Sequence, residues 1–111
     1  YLAKGEGVIL SPIYIEDLSK IFLKIIESKK RFDNEIINVS SQEIVSLEKI
    51  IKILSENLKI NPKIERTENE LKYFISDSTK LSRFLNIQFS FTTIEIGLKE
   101  TCKAYQYDLR R

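Results

Sequence analysis

Apolar positions recur along this chain at two periods, and the helical period of three to four appears four times. From about Glu16 to Ser28, Leu18, Ile21, Phe22, Ile25 and Ile26 fall on one stripe, which predicts an amphipathic helix. Glu16 and Asp17 stand in its first turn, where the helix dipole favours negative charge. A second helix is predicted over about Leu47 to Leu58, with Ser46 as N-cap and Leu47, Ile50, Ile51, Leu54 and Leu58 on one face. Asn61-Pro62 closes it. A third, short helix begins where Asp77 can cap a turn or two carrying Leu81, Phe84 and Leu85. Asn86 follows, a residue able to take the left-handed conformation at a helix end. The fourth opens with Thr92-Thr93-Ile94-Glu95, which reads as a capping box of Thr92 with Glu95. Its buried stripe is Ile94, Leu98, Thr101, Cys102 and Tyr105.

Short extended runs separate these helices. Val8–Leu10, Glu35–Val39, Lys63–Glu65 and Tyr73–Ile75 carry β-branched or aromatic residues between turn formers. Strands alternating with helices predict an α/β fold with about four helices, three or four short strands, and at least partly parallel pairing. The apolar stripes are accounted for as core. Cys102 reads as a small apolar filler on the last helix. Gly97 stands mid-helix, where alanine would be more stable by ~1 kcal/mol, so it is expected to permit a close approach.

Composition narrows the chemistry. The 111 residues suit one domain, and eighteen basic against sixteen acidic side chains leave a formal charge of +2. The one tight basic run, Lys29-Lys30-Arg31, lies at a predicted helix end, where cations meet the negative dipole end. Nucleic-acid binding is therefore not expected. A single cysteine permits no internal disulfide, which points to a cytoplasmic origin. No apolar run approaches the ~20 residues that span a bilayer, so no membrane partner is expected. With no histidine and one cysteine, this chain alone cannot build a zinc site or a Ser/His or Cys/His catalytic pair.

The segments gain meaning from their order. SPIYIEDLSKIFLKIIES, from Ser11 to Ser28, resembles an extended segment, then Val/Ile-x-Asp-Leu and an amphipathic helix, in the extended short-chain dehydrogenase/reductases. EIINVSSQEIVSLEKIIKIL is similar to that family's Tyr/Ile-Asn-Val-Gly-Ser strand, polar turn and capped helix. FISDSTKLSRFLNI resembles its Asp-x-Ser/Thr-Lys-x-x-x-x-Leu-Gly-Trp segment, and FSFTTIEIGLKETCKAY its closing turn and helix. The likeness covers nearly all of residues 8 to 107. It implies the C-terminal, substrate-side portion of a Rossmann-type NAD(P)-dependent nucleotide-sugar epimerase or dehydratase, expected as a single unit over residues 1–111.

In that family the Gly-rich dinucleotide loop and the Tyr-x-x-x-Lys catalytic pair lie upstream. Gly5, Gly7 and Gly97 make no such loop here, and no tyrosine has a lysine four residues on. The resemblance therefore implies a truncated piece, or else a relic of such an enzyme, that neither binds NAD or NADP nor catalyses by itself. Many members carry a phosphate-clamping arginine just before the Ile-x-Val/Ile-x-Asp segment; Leu10-Ser11 stands there in this chain. Arg66 sits one place from a second such arginine and is the expected substrate phosphate contact. Asn38 matches an asparagine that ties down the strand–turn junction or touches substrate. Asp17 is expected to bond N–H groups at the start of its helix and set the angle at which the chain enters it. The face carrying Leu18, Phe22 and Ile25 should pack on sheet that this chain lacks, so the chain by itself is expected to pair as a homodimer through the helix 16–28 face. The reading from another class is a stand-alone α/β interaction module.

Overall fold

The computed structural model describes residues 5–29, 34–70, 72–85 and 89–110. Asn86 and most of the basic run at 29–31 lie outside them. In chain order the elements are β1 (Ile9–Leu10), α1 (Ile15–Glu27), β2 (Val45–Ser46), α2 (Leu47–Leu58), β3 (Tyr73–Phe74), α3 (Thr79–Leu85) and α4 (Ile94–Leu109). The three strands form one mixed sheet in the order β2-β1-β3. β1 pairs antiparallel with β2 and parallel with β3, with Ile9 opposite Tyr73 and Leu10 opposite Phe74. This is an α/β fold with four helices and one parallel pair.

Two apolar groups hold it together. On one side Ile21 of α1 meets Leu81 and Leu85 of α3, with Ile13, Ile25, Ile37, Val39, Phe84, Phe89 and Phe91 packed around them. Phe89 and Phe91 meet edge to face, their centroids 4.9 Å apart. On the other side α2 lies against α4, with Ile53 and Cys102 buried in their respective helices. Gly97 brings α4 against Tyr14: a Cβ there would stand 3.4 Å from three Tyr14 carbons. That is ordinary contact for a methyl group, and it leaves no room for a longer side chain.

One buried carboxylate joins the two groups. Asp17 is 1% exposed. Its Oδ2 accepts the Thr92 N–H at 2.7 Å and its Oδ1 the Thr92 hydroxyl at 2.8 Å. The expected bonds to its own helix start are not what holds it; Asp17 reaches across to the segment that leads into α4. Thr92, so engaged, is not the N-cap of α4. Thr93 caps instead, its Oγ1 accepting the Ile96 N–H at 3.4 Å, while the Glu43 carboxylate receives the Ile94 N–H at 3.3 Å. Glu95, freed from a capping box, pairs with Lys49 of α2 at 3.1 Å.

α2 begins and ends where its pattern predicts. Ser46 Oγ accepts the Lys49 N–H at 3.2 Å, and Lys59 turns left-handed (φ 55°) so that Ile60 N–H reaches the Ser55 carbonyl at 3.1 Å. Two predicted strands form no ladder. Residues 63–65 are irregular, with only a single bridge at Arg66. Residues 35–39 run without a β partner, yet they keep the alternation of a strand: Ile37 and Val39 face the core while Ile36 is 82% exposed. A strand needs a neighbour to become one, and these five residues have none among those described. In the other direction, β2 was not foreseen, because two residues beside a helix cap carry no period of their own.

The chain is more open than its size requires. Its radius of gyration is 16.7 Å, against about 13 Å for a compact domain of this length. It exposes 8706 Å², against about 6300 Å² for a folded monomer of its mass, a surplus of roughly 2400 Å². Part of that surplus is the outer stripe of α1, where Ile15, Phe22, Leu23 and Ile26 are between 56% and 76% exposed.

Replacing Asp17 should show what joins the halves. Asp17→Ala leaves the half-buried N–H and hydroxyl of Thr92 without their acceptors, a loss of roughly 3 kcal/mol, and Thr92→Val, which leaves one oxygen of the buried carboxylate unfilled, costs about 2 kcal/mol. Urea unfolding with an unchanged m-value reads both. Equal stability of Asp17→Ala and the native chain would remove this carboxylate from the account.

Candidate functional site

A cavity with chemistry in it lies at the open face of the small sheet. Side chains two apart on a strand share a face, and the register sets Leu10 beside Phe74. Leu10 on β1 and Phe74 on β3 therefore look the same way, and Val8 and Lys72 stand one residue before those strands. A cavity of 630 Å³ opens there, lined by Val8, Phe74 and Lys72 together with Asn69 and Glu70 of the preceding loop. The backbone fixes Lys72 in place: its carbonyl accepts the Ile9 N–H at 2.9 Å. A cation, a carboxylate, an amide and an aromatic ring around one hollow can hold a ligand with an anionic group, hydroxyls and a flat or apolar part. Sequence reasoning passed over Lys72, Asn69 and Glu70. The signal was the position of Lys72, one residue before the predicted strand Tyr73–Ile75 and two before Phe74.

Arg66 stands nearby in sequence, on the loop that leads to this cavity. Its guanidinium donates from Nη1 to the Gly5 carbonyl and from Nη2 to Glu48 Oε1. Gly5 and Gly7 both have positive φ (77° and 81°), which lets the chain turn before β1 and present that carbonyl. Leu47 N–H then bonds the Val8 carbonyl at 2.9 Å and Glu48 N–H the Glu6 carbonyl at 3.0 Å, binding the start of α2 to the same turn. Arg66 remains half exposed. A guanidinium has five N–H donors, so two bonds leave others to offer a ligand.

Asn38 lies elsewhere and shares no bonding partner with Arg66. Its Nδ2 donates to the Asp77 carbonyl at 3.3 Å. Asp77 in turn caps α3 as its sequence suggests: Oδ1 accepts the Thr79 N–H at 3.0 Å and the Thr79 hydroxyl at 2.5 Å. Lys80 Nζ donates to the Ile36 carbonyl at 3.2 Å, so the 36–38 segment is tied at two points to the start of α3. The Thr79 bonds hold the Asp77 carboxyl below its usual 3.8, with Arg83 adding to the effect.

A smaller cavity of 280 Å³ lies between the Pro12–Ile15 segment, the Ser41–Glu43 turn and the first turns of α4. Its polar groups serve the fold. Glu43 caps α4, Ser41 Oγ accepts the Glu43 N–H at 3.3 Å, and the Thr101 hydroxyl donates to the Gly97 carbonyl at 2.8 Å. Partial burial, then the carboxylates of Glu16 and Glu100, push the Tyr14 hydroxyl above its ordinary 10, so it stays protonated near neutrality. Among the described residues no three of His, Cys, Asp and Glu gather to hold a metal ion, and no helix is long and apolar enough to cross a membrane.

Neither a protein-family model nor a curated protein matches this chain. Solved structures do. The chain is similar to UDP-glucuronic acid 4-epimerase from Bacillus cereus in complex with NAD, with a TM-score of 0.69 and 22% identity over 93% of this chain and 33% of that one. It is also similar to a tyrosine-to-phenylalanine mutant of that enzyme in complex with UDP-4-deoxy-4-fluoro-glucuronic acid and NAD, with a TM-score of 0.75 and 22% identity over 96% and 34%. This chain thus shares the fold of part of that epimerase, and it spans about a third of the length of the structures it matches.

The Asp77 cap makes α3 sensitive to acid. Its folded pKa is lowered, so the cap contributes fully above pH ~4, the unfolded value, and is lost as pH falls through the folded one. Amide exchange at Thr79 should accelerate below pH ~4 relative to that of α2, and Asp77→Asn should abolish this difference. An α3 equally protected at pH 2.5 and pH 6 would show that the cap does not hold the helix.

Proposed function

We propose that this chain is the substrate-side, C-terminal part of an NAD-dependent nucleotide-sugar epimerase or dehydratase. The observation that carries this is the match of 93–96% of the chain to a third of UDP-glucuronic acid 4-epimerase, with a polar cavity opening on its sheet. The surplus exposure supports it as well. A standard interface covers about 800 Å² of each partner, and roughly 2400 Å² of excess is nearer the surface left when a domain is parted from a larger one.

The cofactor would be held outside these residues. Its pyrophosphate needs a glycine-rich turn between a strand and a helix start. The β1–α1 junction here, Ser11 to Tyr14, contains no glycine; Gly5 and Gly7 precede β1 and Gly97 lies within α4. NAD does not fit the residues present, and this part of the enzyme would supply walls and charge for the nucleotide sugar. Arg66, with guanidinium donors to spare, is our phosphate contact. Asn38 would hold the end of the 35–39 segment to α3 and so position that side of the substrate cleft.

The test is the full-length polypeptide. Incubated with UDP-glucuronic acid, it should form a second UDP-sugar resolvable by chromatography, with NAD retained on the protein. No turnover of any UDP-, dTDP- or GDP-sugar and no retained NAD would overturn the reading. Within it, Arg66→Ala should raise the KM for the nucleotide sugar about ten-fold or more with little change in NAD affinity, as loss of a charge-assisted phosphate contact predicts. Because Arg66 also braces the Gly5 turn, Glu48→Gln is the control: it disturbs that brace and should leave the KM within about two-fold. An unchanged KM in Arg66→Ala would exclude the contact.

The 111-residue chain by itself would cover the α1 stripe with a second copy. Sedimentation at micromolar concentration should find a dimer, and Phe22→Glu should return it to 13.0 kDa. A native monomer at ten times that concentration would contradict this.

A further inference from the structure

We propose that the 280 Å³ cavity at the start of α4 is a binding site for an organic ammonium ion, with Glu43 as its counter-ion. This does not rest on the nucleotide-sugar reading, and the cavity shares no lining residue with the 630 Å³ one on the sheet. Most of its wall is apolar. Pro12, Ile13, Ile15, Ile94 and Leu98 line it, together with Tyr14, whose side chain is seated against Gly97. An apolar hollow of about 150 Å³ is enough to take a benzene ring, so this one has room for a ligand body of about six carbons.

The polar end of the cavity is acidic. Ser41, Glu43, Thr92 and Thr93 also line an adjoining cavity of 420 Å³, and of these four only Glu43 carries a charge. Glu43 is half-buried, and both of its oxygens depend on one donor: the Ile94 N–H stands 3.4 Å from Oε1 and 3.3 Å from Oε2. An ionised carboxylate has about four acceptor sites, so one long, shared bond leaves it underfilled. It enters none of the ion pairs among the described residues, whereas Glu48, Glu65, Glu95 and Glu100 each have a cation. The surrounding charges do not compensate. Asp17 lies behind Thr92, and after partial burial it is the carboxylates of Glu16 and Glu100 that hold the Tyr14 hydroxyl above its ordinary 10. Lys103 stands 2.9 Å from Glu100 and Lys49 is engaged by Glu95. A carboxylate short of donors, beside an apolar hollow with a tyrosine in its wall, has the parts that recognise an ammonium. It offers charge-assisted bonds to the N–H groups, the ring attracts the cation, and the hollow takes the apolar body. The same charges repel an anion, and a neutral alcohol leaves Glu43 without its counter-ion.

Ligand-observed saturation-transfer NMR on the full-length protein can compare hexylammonium, hexanol and hexanoate, which share one hydrocarbon body. Hexylammonium should bind saturably at roughly millimolar concentration, about ten-fold more tightly than hexanol, with hexanoate weakest, and added salt should narrow the gap. Glu43→Gln keeps an acceptor for the Ile94 N–H and removes the charge. It should bring hexylammonium to within about two-fold of hexanol and leave hexanol unchanged. Leu98→Trp fills the hollow and should abolish the binding of both, with circular dichroism reporting that the helices remain. Equal binding of the three ligands, or a Glu43→Gln protein that still prefers hexylammonium about ten-fold, would overturn the counter-ion role and the proposal with it. Undiminished binding in a folded Leu98→Trp protein would put the amine elsewhere, with the same result. So would the absence of saturable binding to the native protein. The nucleotide-sugar reading, which is tested by turnover and retained NAD, stands or falls separately from all of these.

Discussion

The position of α4 depends on one buried carboxylate. Asp17 belongs to the first turn of α1, yet its two oxygens are spent on the N–H and hydroxyl of Thr92. A carboxylate this deeply buried is tolerated only when its acceptors are filled, and two short bonds at 2.7 and 2.8 Å fill one site on each oxygen. The consequences run outward from there. Thr92 is removed from capping, the cap passes to Thr93, and Glu43 supplies the acceptor that the first N–H of α4 needs. Glu95 turns to Lys49 and joins α4 to α2. The α1–α3 core and the α2–α4 pair are thereby held in one frame, with Tyr14 packed against Gly97 at the joint.

What could be read from the sequence was what is encoded locally. The bounds and Ser46 cap of α2 were legible because they are encoded in consecutive positions, although its one buried side chain, Ile53, lies off the predicted stripe. Asp77 was legible as a cap for the same reason: its partner Thr79 is two residues away. Asp17 was half legible. Its place in a first turn was plain, but its partner stands 75 residues on, and nothing in a helical period names a residue at that range. Thr92 and Thr93 are chemically near-identical candidates for one cap, and only the carboxylate across the joint decides between them. For the sheet, the pattern showed which residues are extended and not which find a neighbour; hence 35–39 carries strand alternation without a ladder, and Val45–Ser46 carries a ladder without a pattern. The candidate site followed the same division. Arg66 and Asn38 came from motif order, and the structure gives each a bonding role in the fold. Lys72 came from the cavity, which a single strand does not reveal.

The two halves of the molecule face different surroundings. The outer face of α1 presents Phe22, Leu23 and Ile26, large apolar side chains more than half exposed. The sheet side presents Lys72, Glu70 and Asn69, a mixed polar surface around a hollow. An apolar surface is suited to protein and a polar hollow to a small charged ligand.

That arrangement explains why the polar joint is built from an aspartate rather than from apolar packing. Ile21, Leu81 and Leu85 are a small core, and hydrophobic contact among so few side chains would tolerate several angles between α1 and the segment entering α4. Two directed bonds from one rigid carboxylate tolerate one. With Asp17 fixed, α1 sets where β1 emerges from the other end of the Ser11–Tyr14 junction, β1 sets β3 through the Ile9–Lys72 bond, and the cavity face follows in register. The burial of Asp17 at the joint thus bears on where Phe74 and the preceding Lys72 stand, on an edge of the sheet that Asp17 does not touch.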